Sequence, residues 1–255
     1  MPESSLAPWT SVWITGASTG IGHELAIRLA ERGVRVAVSA RSEDKLRELA
    51  AQHPGIIPFP VDVTDREAVL RAYRSIHNAI GPIELAILNA GVWDPMSATT
   101  FNAERIAATM NVNYSGIVNA LEPLLQEMIG RRGGHLALVA SIAGYRGLPK
   151  AVAYAPSKAA VISLAETLRI DLAPHDVTVS LINPGFVETP MTSVNRFPMP
   201  FIMSSSDAAE RILAGLEKKR FEIAFPWQLV SVLKLLRVLP YPVYYAIARR
   251  LAGRV

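Results

Sequence analysis

The residues of this chain best suited to chemistry form Tyr154-Ala-Pro-Ser-Lys158. They open a stretch with helical patterning that continues as Ala159-Ala-Val-Ile-Ser-Leu-Ala-Glu166. Side chains four apart on a helix share one face, so the phenol and the ammonium can point into the same cleft. Pro156 falls in the first turn, where its missing N–H has no partner to lose. A free phenol ionises near pH 10, too high for proton transfer near neutrality. A neighbouring ammonium favours the phenolate and lowers that value. The pair therefore reads as a tuned acid–base group. Tyr-x-x-x-Lys alone is common, and two upstream residues support it here. Ser141 lies just beyond the apolar run Leu136–Val139, and Asn113 lies in Val112-Asn-Tyr-Ser-Gly116 on an expected helix.

These side chains need a frame, and the pattern of the chain supplies one. Short β-branched or apolar runs occur at Val12–Thr15, Arg35–Ser39, Ile56–Phe59, Leu85–Leu88, Leu136–Val139 and Val177–Ile182. Several are almost continuously apolar, as strands buried on both faces of a parallel sheet should be. Helix-like stretches lie between them. Ser42 precedes one, Thr64 with Glu67 has capping-box spacing before the next, and Asp207 with Glu210 repeats that signal before Ala208–Lys219. This alternation predicts an α/β fold, a doubly wound parallel sheet of Rossmann type. The expected organisation is one nucleotide-binding catalytic domain over 1–225 and a helical extension over 226–255.

After the first run comes Thr15-Gly-Ala-Ser-Thr-Gly-Ile-Gly22, and a helical pattern follows at once. Glycines at 16, 20 and 22 permit a tight turn and close approach of backbone to a pyrophosphate, which the free N–H groups of the helix start would hold. Ser18, Thr19 and Ile21 share that turn. About 20 residues past such glycines, NAD enzymes place an Asp or Glu against the ribose 2′-OH. Ser39-Ala40-Arg41 stands there instead. Arg41 can pair with a 2′-phosphate through two charge-assisted hydrogen bonds, which favours NADP(H) over NAD.

The spacing Gly-x-x-x-Gly-x-Gly, together with Asn113, Ser141, Tyr154 and Lys158, resembles the short-chain dehydrogenase/reductase family over about residues 10–225. The resemblance implies an oxidoreductase that interconverts a carbonyl and an alcohol. Tyr154 then gives or takes the proton, Ser141 orients the substrate oxygen, and Lys158 tunes Tyr154 and holds the nicotinamide ribose. Asn113 supports a water link from the lysine to solvent. By the same resemblance Asp62-Val63 meets the adenine, and Asn89-Ala90-Gly91 floors the cofactor site. Pro184, Gly185, Val187 and Thr189, in Asn183-Pro-Gly-Phe-Val-Glu-Thr189, meet the nicotinamide carboxamide. Leu88 and Ala140 stand where many members carry a second Asn and a second Ser. Other chemistries on the same scaffold (lyase, epimerase) and a regulator that binds NADP without turnover are the rival readings. Both Tyr154 and Lys158 being present weighs against the regulator.

Past Thr189 the chain reads Met191-Thr-Ser-Val-Asn-Arg-Phe197, then Pro-Met-Pro-Phe-Ile-Met203. Met191 and Phe197, with Trp93 and Tyr145, are expected to wall a small lipophilic substrate. Half of the 255 residues are hydrophobic, 19% are charged and none is cysteine. Disulfides, thiol nucleophiles and cysteine-bound metals are excluded; no metal site is expected. The start of the chain carries no signal-peptide pattern, and a cytoplasmic homo-oligomer is expected. The net charge is +4, yet residues 223–255 carry Lys234, Arg237, Arg249, Arg250 and Arg254 with no acid, leaving −1 on the rest. Basicity is thus local to the tail and not a nucleic-acid footprint. For the tail itself, a cap over the site, a subunit contact and peripheral membrane contact all stay open.

Overall fold

The computed structural model describes residues 7–195 and 197–252, the side chains of the last two excepted. Seven strands form one parallel sheet: β1 (Ser11–Thr15), β2 (Arg35–Ser39), β3 (Ile56–Pro58), β4 (Leu85–Leu88), β5 (Gly134–Val139), β6 (Val177–Pro184) and β7 (Glu222–Phe225). Their order is β3-β2-β1-β4-β5-β6-β7. The order reverses between β1 and β4, and a crevice opens at the carboxyl ends of strands at such a reversal. The doubly wound parallel sheet is as expected. The seventh strand is an addition: Glu222-Ile-Ala-Phe225 is too short and too mixed to stand out, and it forms because it pairs with β6 from Leu181 to Pro184.

Apolar residues alternate between two cores. Val12 and Ile14 of β1 face one layer, built with α1 (Gly20–Glu31), α2 (Glu43–Gln52) and α7 (Ser205–Glu217). Trp13 faces the other, built with α3 (Arg66–Ile80), α5 (Gly116–Gly130) and α6 (Tyr154–Asp171). Covering both faces is what makes the strands read as unbroken apolar runs. Two of the expected caps differ. Asp65, not Thr64, caps α3 by accepting from the Ala68 amide, because Thr64 is turned back onto Asp62. Ser204, not Asp207, caps α7 by accepting from the Asp207 amide. In both cases the true cap is a neighbouring oxygen side chain, a shift of a few residues at the element boundary.

One helix changes pitch. Between α4 (Ala103–Met110) and α5, residues Asn111–Ser115 form a π-helical turn, and Asn113 lies within it. The tail forms α8 (Trp227–Val238) and α9 (Tyr241–Ala252), separated at Leu239-Pro240. Leu229, Val230 and Leu233 pack α8 against the second core.

β5 and β6 also bury a titratable side chain, His135, against Ser180. Ser180 Oγ donates to the Arg220 carbonyl at 2.6 Å, so it accepts from His135 Nε2 at 2.9 Å. His135 Nδ1 is left buried with no partner. Desolvation, and more weakly Lys219 and Arg169, lower the imidazole to about 4. An unfolded His takes a proton near 6.5, so between about 6.5 and 4 the unfolded chain binds one more proton than the folded one. Folding stability therefore falls by about 3 kcal/mol across that window from this group. His135→Leu should lack this loss. The difference in urea-unfolding free energy between wild type and variant should change by that amount between pH 7 and pH 4; a constant difference would refute a neutral buried imidazole.

Candidate active site

The turn from β1 to α1 is packed too tightly for side chains at two points. Gly16 has φ +69, and a Cβ on it would stand 2.7 Å from Ala90 Cα. A Cβ on Gly22 would stand 2.6 Å from the Gly16 carbonyl oxygen. Asn89 sews this turn to the end of β4. Its Nδ2 donates to the carbonyls of Thr15 and Gly16 at 3.2 and 3.0 Å, while the Asn89 and Ala90 amides donate to Thr15 Oγ1. Thr19 makes no side-chain cap on α1, so the first-turn N–H groups face the crevice unclaimed by it. A Gly-rich turn held against a bare helix N-terminus suits the pyrophosphate of a dinucleotide.

From that turn a cleft of about 540 Å3 runs across the carboxyl ends of the strands. Arg41 and Asp62 border one end, Ser141, Tyr154 and Lys158 the other. Arg41 is exposed. Asp62 Oδ1 accepts from the amide and hydroxyl of Thr64 at 2.9 and 2.8 Å, so part of its role is to fix its own turn. Ser39 does not reach the cleft. It is fully buried, accepts from Trp13 Nε1 at 3.0 Å and offers its carbonyl to the Gly16 amide at 2.7 Å. It braces the glycine turn from behind.

At the inner end, Tyr154 opens α6 and Lys158 follows one turn later. Lys158 is 3% exposed, and its Nζ donates to the Val139 carbonyl at 3.0 Å. Ser141 Oγ accepts from the Ala143 amide, donates to the Pro184 carbonyl at 3.3 Å and is within hydrogen-bonding reach of the Tyr154 phenol. Asn113 is buried one layer deeper. The π turn aims it at the loop after β4, where Oδ1 accepts from the Val92 amide at 2.7 Å. Its Nδ2 donates to the Val92 carbonyl at 3.0 Å and to Ser157 Oγ at 2.9 Å. It clamps that loop onto α6.

The electrostatics correct one expectation. Burial pushes the Tyr154 phenol up to about 12, opposed only by the bond with Ser141. Burial pushes Lys158 down to about 8. The ammonium lies 5.7 Å from the phenol ring centroid and is committed to Val139, so in the chain alone desolvation prevails over its pull on Tyr154.

The expected substrate wall is only partly assembled. Trp93 meets Tyr154 edge to face at 5.0 Å and donates through Nε1 to Asn195 Oδ1 at 2.8 Å. Met191 borders the cleft, as do Val112, Thr192 and Val194, which no sequence signal marked. Tyr145 does not line it. Tyr145 is 6% exposed and donates to Glu222, which also accepts from Asn183 Nδ2 at 3.0 Å. The partner that draws it inward lies on β7, the strand absent from the sequence reading. Phe197 packs instead against Phe186, 6.0 Å between centroids. Pro184, Gly185, Val187 and Thr189 do line the cleft, with Gly185 held by a bond from its amide to the Phe225 carbonyl at 2.7 Å.

A sequence profile for short chain dehydrogenases matches residues 10–198. That span contains the glycine turn, Ser141, Tyr154 and Lys158, and most of the chain. This chain belongs to the short-chain dehydrogenase family. An uncharacterized oxidoreductase of Myxococcus xanthus (strain DK1622) is 40% identical over 242 residues, covering 93% of this chain and 96% of its own. A 3-oxoacyl-(acyl-carrier-protein) reductase of Thermotoga maritima is 32% identical over 183 residues, 70% of this chain and 74% of that one. A crystal structure of a short chain dehydrogenase from Burkholderia cenocepacia J2315 in complex with NADP superposes with a TM-score of 0.81. It is 28% identical, over 93% of this chain and 97% of that one. This protein is thus an oxidoreductase of the short-chain dehydrogenase family, and α7, β7 and the two tail helices lie beyond the family profile.

Proposed function

We propose that the protein is an NADP(H)-dependent oxidoreductase that interconverts a carbonyl and an alcohol on a small lipophilic substrate. One observation carries this reading: a single cleft joins the glycine turn and Arg41 at one end to Ser141, Tyr154 and Lys158 at the other. The B. cenocepacia relative crystallised with NADP supports the choice of cofactor. In this reading the turn amides and α1 hold the pyrophosphate, and Arg41 pairs with the 2′-phosphate. The nicotinamide supplies or accepts the hydride at the substrate carbon. The chain's own residues handle the proton. At about 12, the phenol keeps its hydrogen throughout the neutral range and is suited to giving it to a substrate oxygen during reduction. Taking a proton during oxidation needs added positive charge beside it to bring it down. Ser141 holds the substrate oxygen toward the phenol, and Trp93, Met191 and Val194 offer apolar surface to the substrate along the cleft.

The test is a panel of lipophilic ketones and alcohols followed by NADPH absorbance. No turnover of any member, with NADPH bound, would favour the non-redox readings. Lys158 gives a sharper prediction. A lysine lowered from 10.5 to about 8 costs the folded state stability below pH 8, a cost relieved as pH rises toward 10.5. Lys158→Met should therefore be at least as stable as wild type at pH 7, while NADPH affinity falls about tenfold and turnover falls with it. Thermal melting and cofactor titration check both signs. A variant that loses stability together with activity would mean that Lys158 is mainly structural.

A further inference from the structure

The tail helices leave an apolar face open to solvent. Trp227, Leu235 and Val238 share one side of α8 and are 71%, 61% and 76% exposed. Tyr241 and Tyr245, stacked on each other, are also exposed along one side of α9. The arrangement is fixed to the body of the protein. Arg146, in the loop between Ser141 and Tyr154, donates to the carbonyls of Arg237 and Leu239 at 2.6 and 3.3 Å. Its guanidinium stacks on the rings of Tyr241 and Tyr244 at 4.7 and 4.3 Å. The Tyr244 hydroxyl donates to the Gly147 carbonyl. The apolar side chains are thus presented by an anchored element.

Beside them lies a groove of about 970 Å3 whose walls include Pro149, Tyr241 and Tyr245 and whose charged residues include Arg237 and Arg249. Lys234 is paired with Glu222. Arg237, Arg249 and Arg250 are exposed, and residues 223–255 contain no acid that could neutralise them.

Charge decides what covers this face. Among the described residues no helix is long and apolar enough to cross a membrane. A second copy meeting the face about a two-fold axis would set the patch against itself, arginine opposite arginine without a carboxylate in the segment. An anionic interface complements both properties: apolar side chains enter the headgroup boundary while arginines meet phosphates. We propose that α8 and α9 form a docking face for the surface of an anionic phospholipid bilayer, with Arg237 and Arg249 gripping headgroup phosphates in the tyrosine-walled groove. The proposal is independent of the redox reading.

Flotation of the full chain with vesicles tests it. The protein should float with phosphatidylcholine–phosphatidylglycerol vesicles at low salt, not with pure phosphatidylcholine. It should be released near 1 M salt, where the screening length falls to about 3 Å. Arg249→Gln with Arg250→Gln should weaken binding about 30-fold, about fivefold for each arginine, with the melting temperature unchanged. Trp227→Ser with Leu235→Ser should weaken it at every salt concentration. Three results would overturn the proposal. One is no flotation with the anionic vesicles at low salt. Another is binding to both vesicle types that neither salt nor the arginine changes affect. The third is a lipid-free dimer in sedimentation velocity that the Trp227 and Leu235 changes dissociate, which would assign the face to a second copy.

Discussion

Replacing Tyr154 by Phe should lower turnover by at least about 100-fold while NADPH affinity stays within about twofold of wild type. The change removes one oxygen from a ring whose position is fixed independently of it. Trp93 packs edge to face on the ring, and the backbone of residue 154 is held in the first turn of α6. Ser141, which loses the phenol as a partner, keeps the Ala143 amide and the Pro184 carbonyl. The fold and the cofactor end of the cleft should therefore be untouched. What disappears is the phenolic O–H that this reading places at the inner end to hand a proton to a carbonyl oxygen. A residual rate that rises as pH falls would show solvent protons acting in its place. Full activity in the variant would end the assignment of Tyr154.

Arg41→Asp should shift the ratio of NADPH to NADH affinity by about 30-fold toward NADH. The number combines the loss of a charge-assisted bidentate pair with new repulsion of a 2′-phosphate, reduced because the site is exposed to solvent. Ala40 and Ser42 also line that end of the cleft and bring no charge of their own, so Arg41 is the cation that a 2′-phosphate bound there would meet. Arg41→Gln should give part of the shift, since it removes attraction without adding repulsion. Salt should shrink the wild-type preference as well. Cofactor titrations of the wild type and both variants at two salt concentrations separate these terms. A wild-type protein that binds NADH as tightly as NADPH would overturn the argument from Arg41.

The sequence revealed what rests on local chemistry. The glycine turn, the six short apolar or β-branched strand runs, and the Tyr154–Lys158 spacing each follow from rules that act within one or two elements. Misreadings came where a distant partner decided. β7 exists through its register with β6, and it supplies Glu222, which draws Tyr145 away from the cleft. Phe197 is claimed by Phe186, and Ser39 by Trp13. In each case the residue type was compatible with a place in the cleft, and a tertiary contact across many residues settled the matter. Val112 and Val194 went unseen for the complementary reason: an aliphatic side chain beside a cleft is indistinguishable in sequence from one in a core.

The π turn at Asn111–Ser115 has a consequence for the helical phase of the segment from Ala103 to Gly130. A π turn corresponds to one residue inserted into an α-helix, and one residue is about 100° of rotation at 3.6 residues per turn. The two helical halves on either side are thus out of phase, as two threads cut with an offset would be. The surplus residue lets Asn113 turn toward Val92 while α5 still presents Ile117, Leu121 and Leu124 to the core. Side-chain identity at position 113 and chain length across 111–115 are therefore separate specifications, and a homologue could keep the asparagine yet misdirect it by a single deletion.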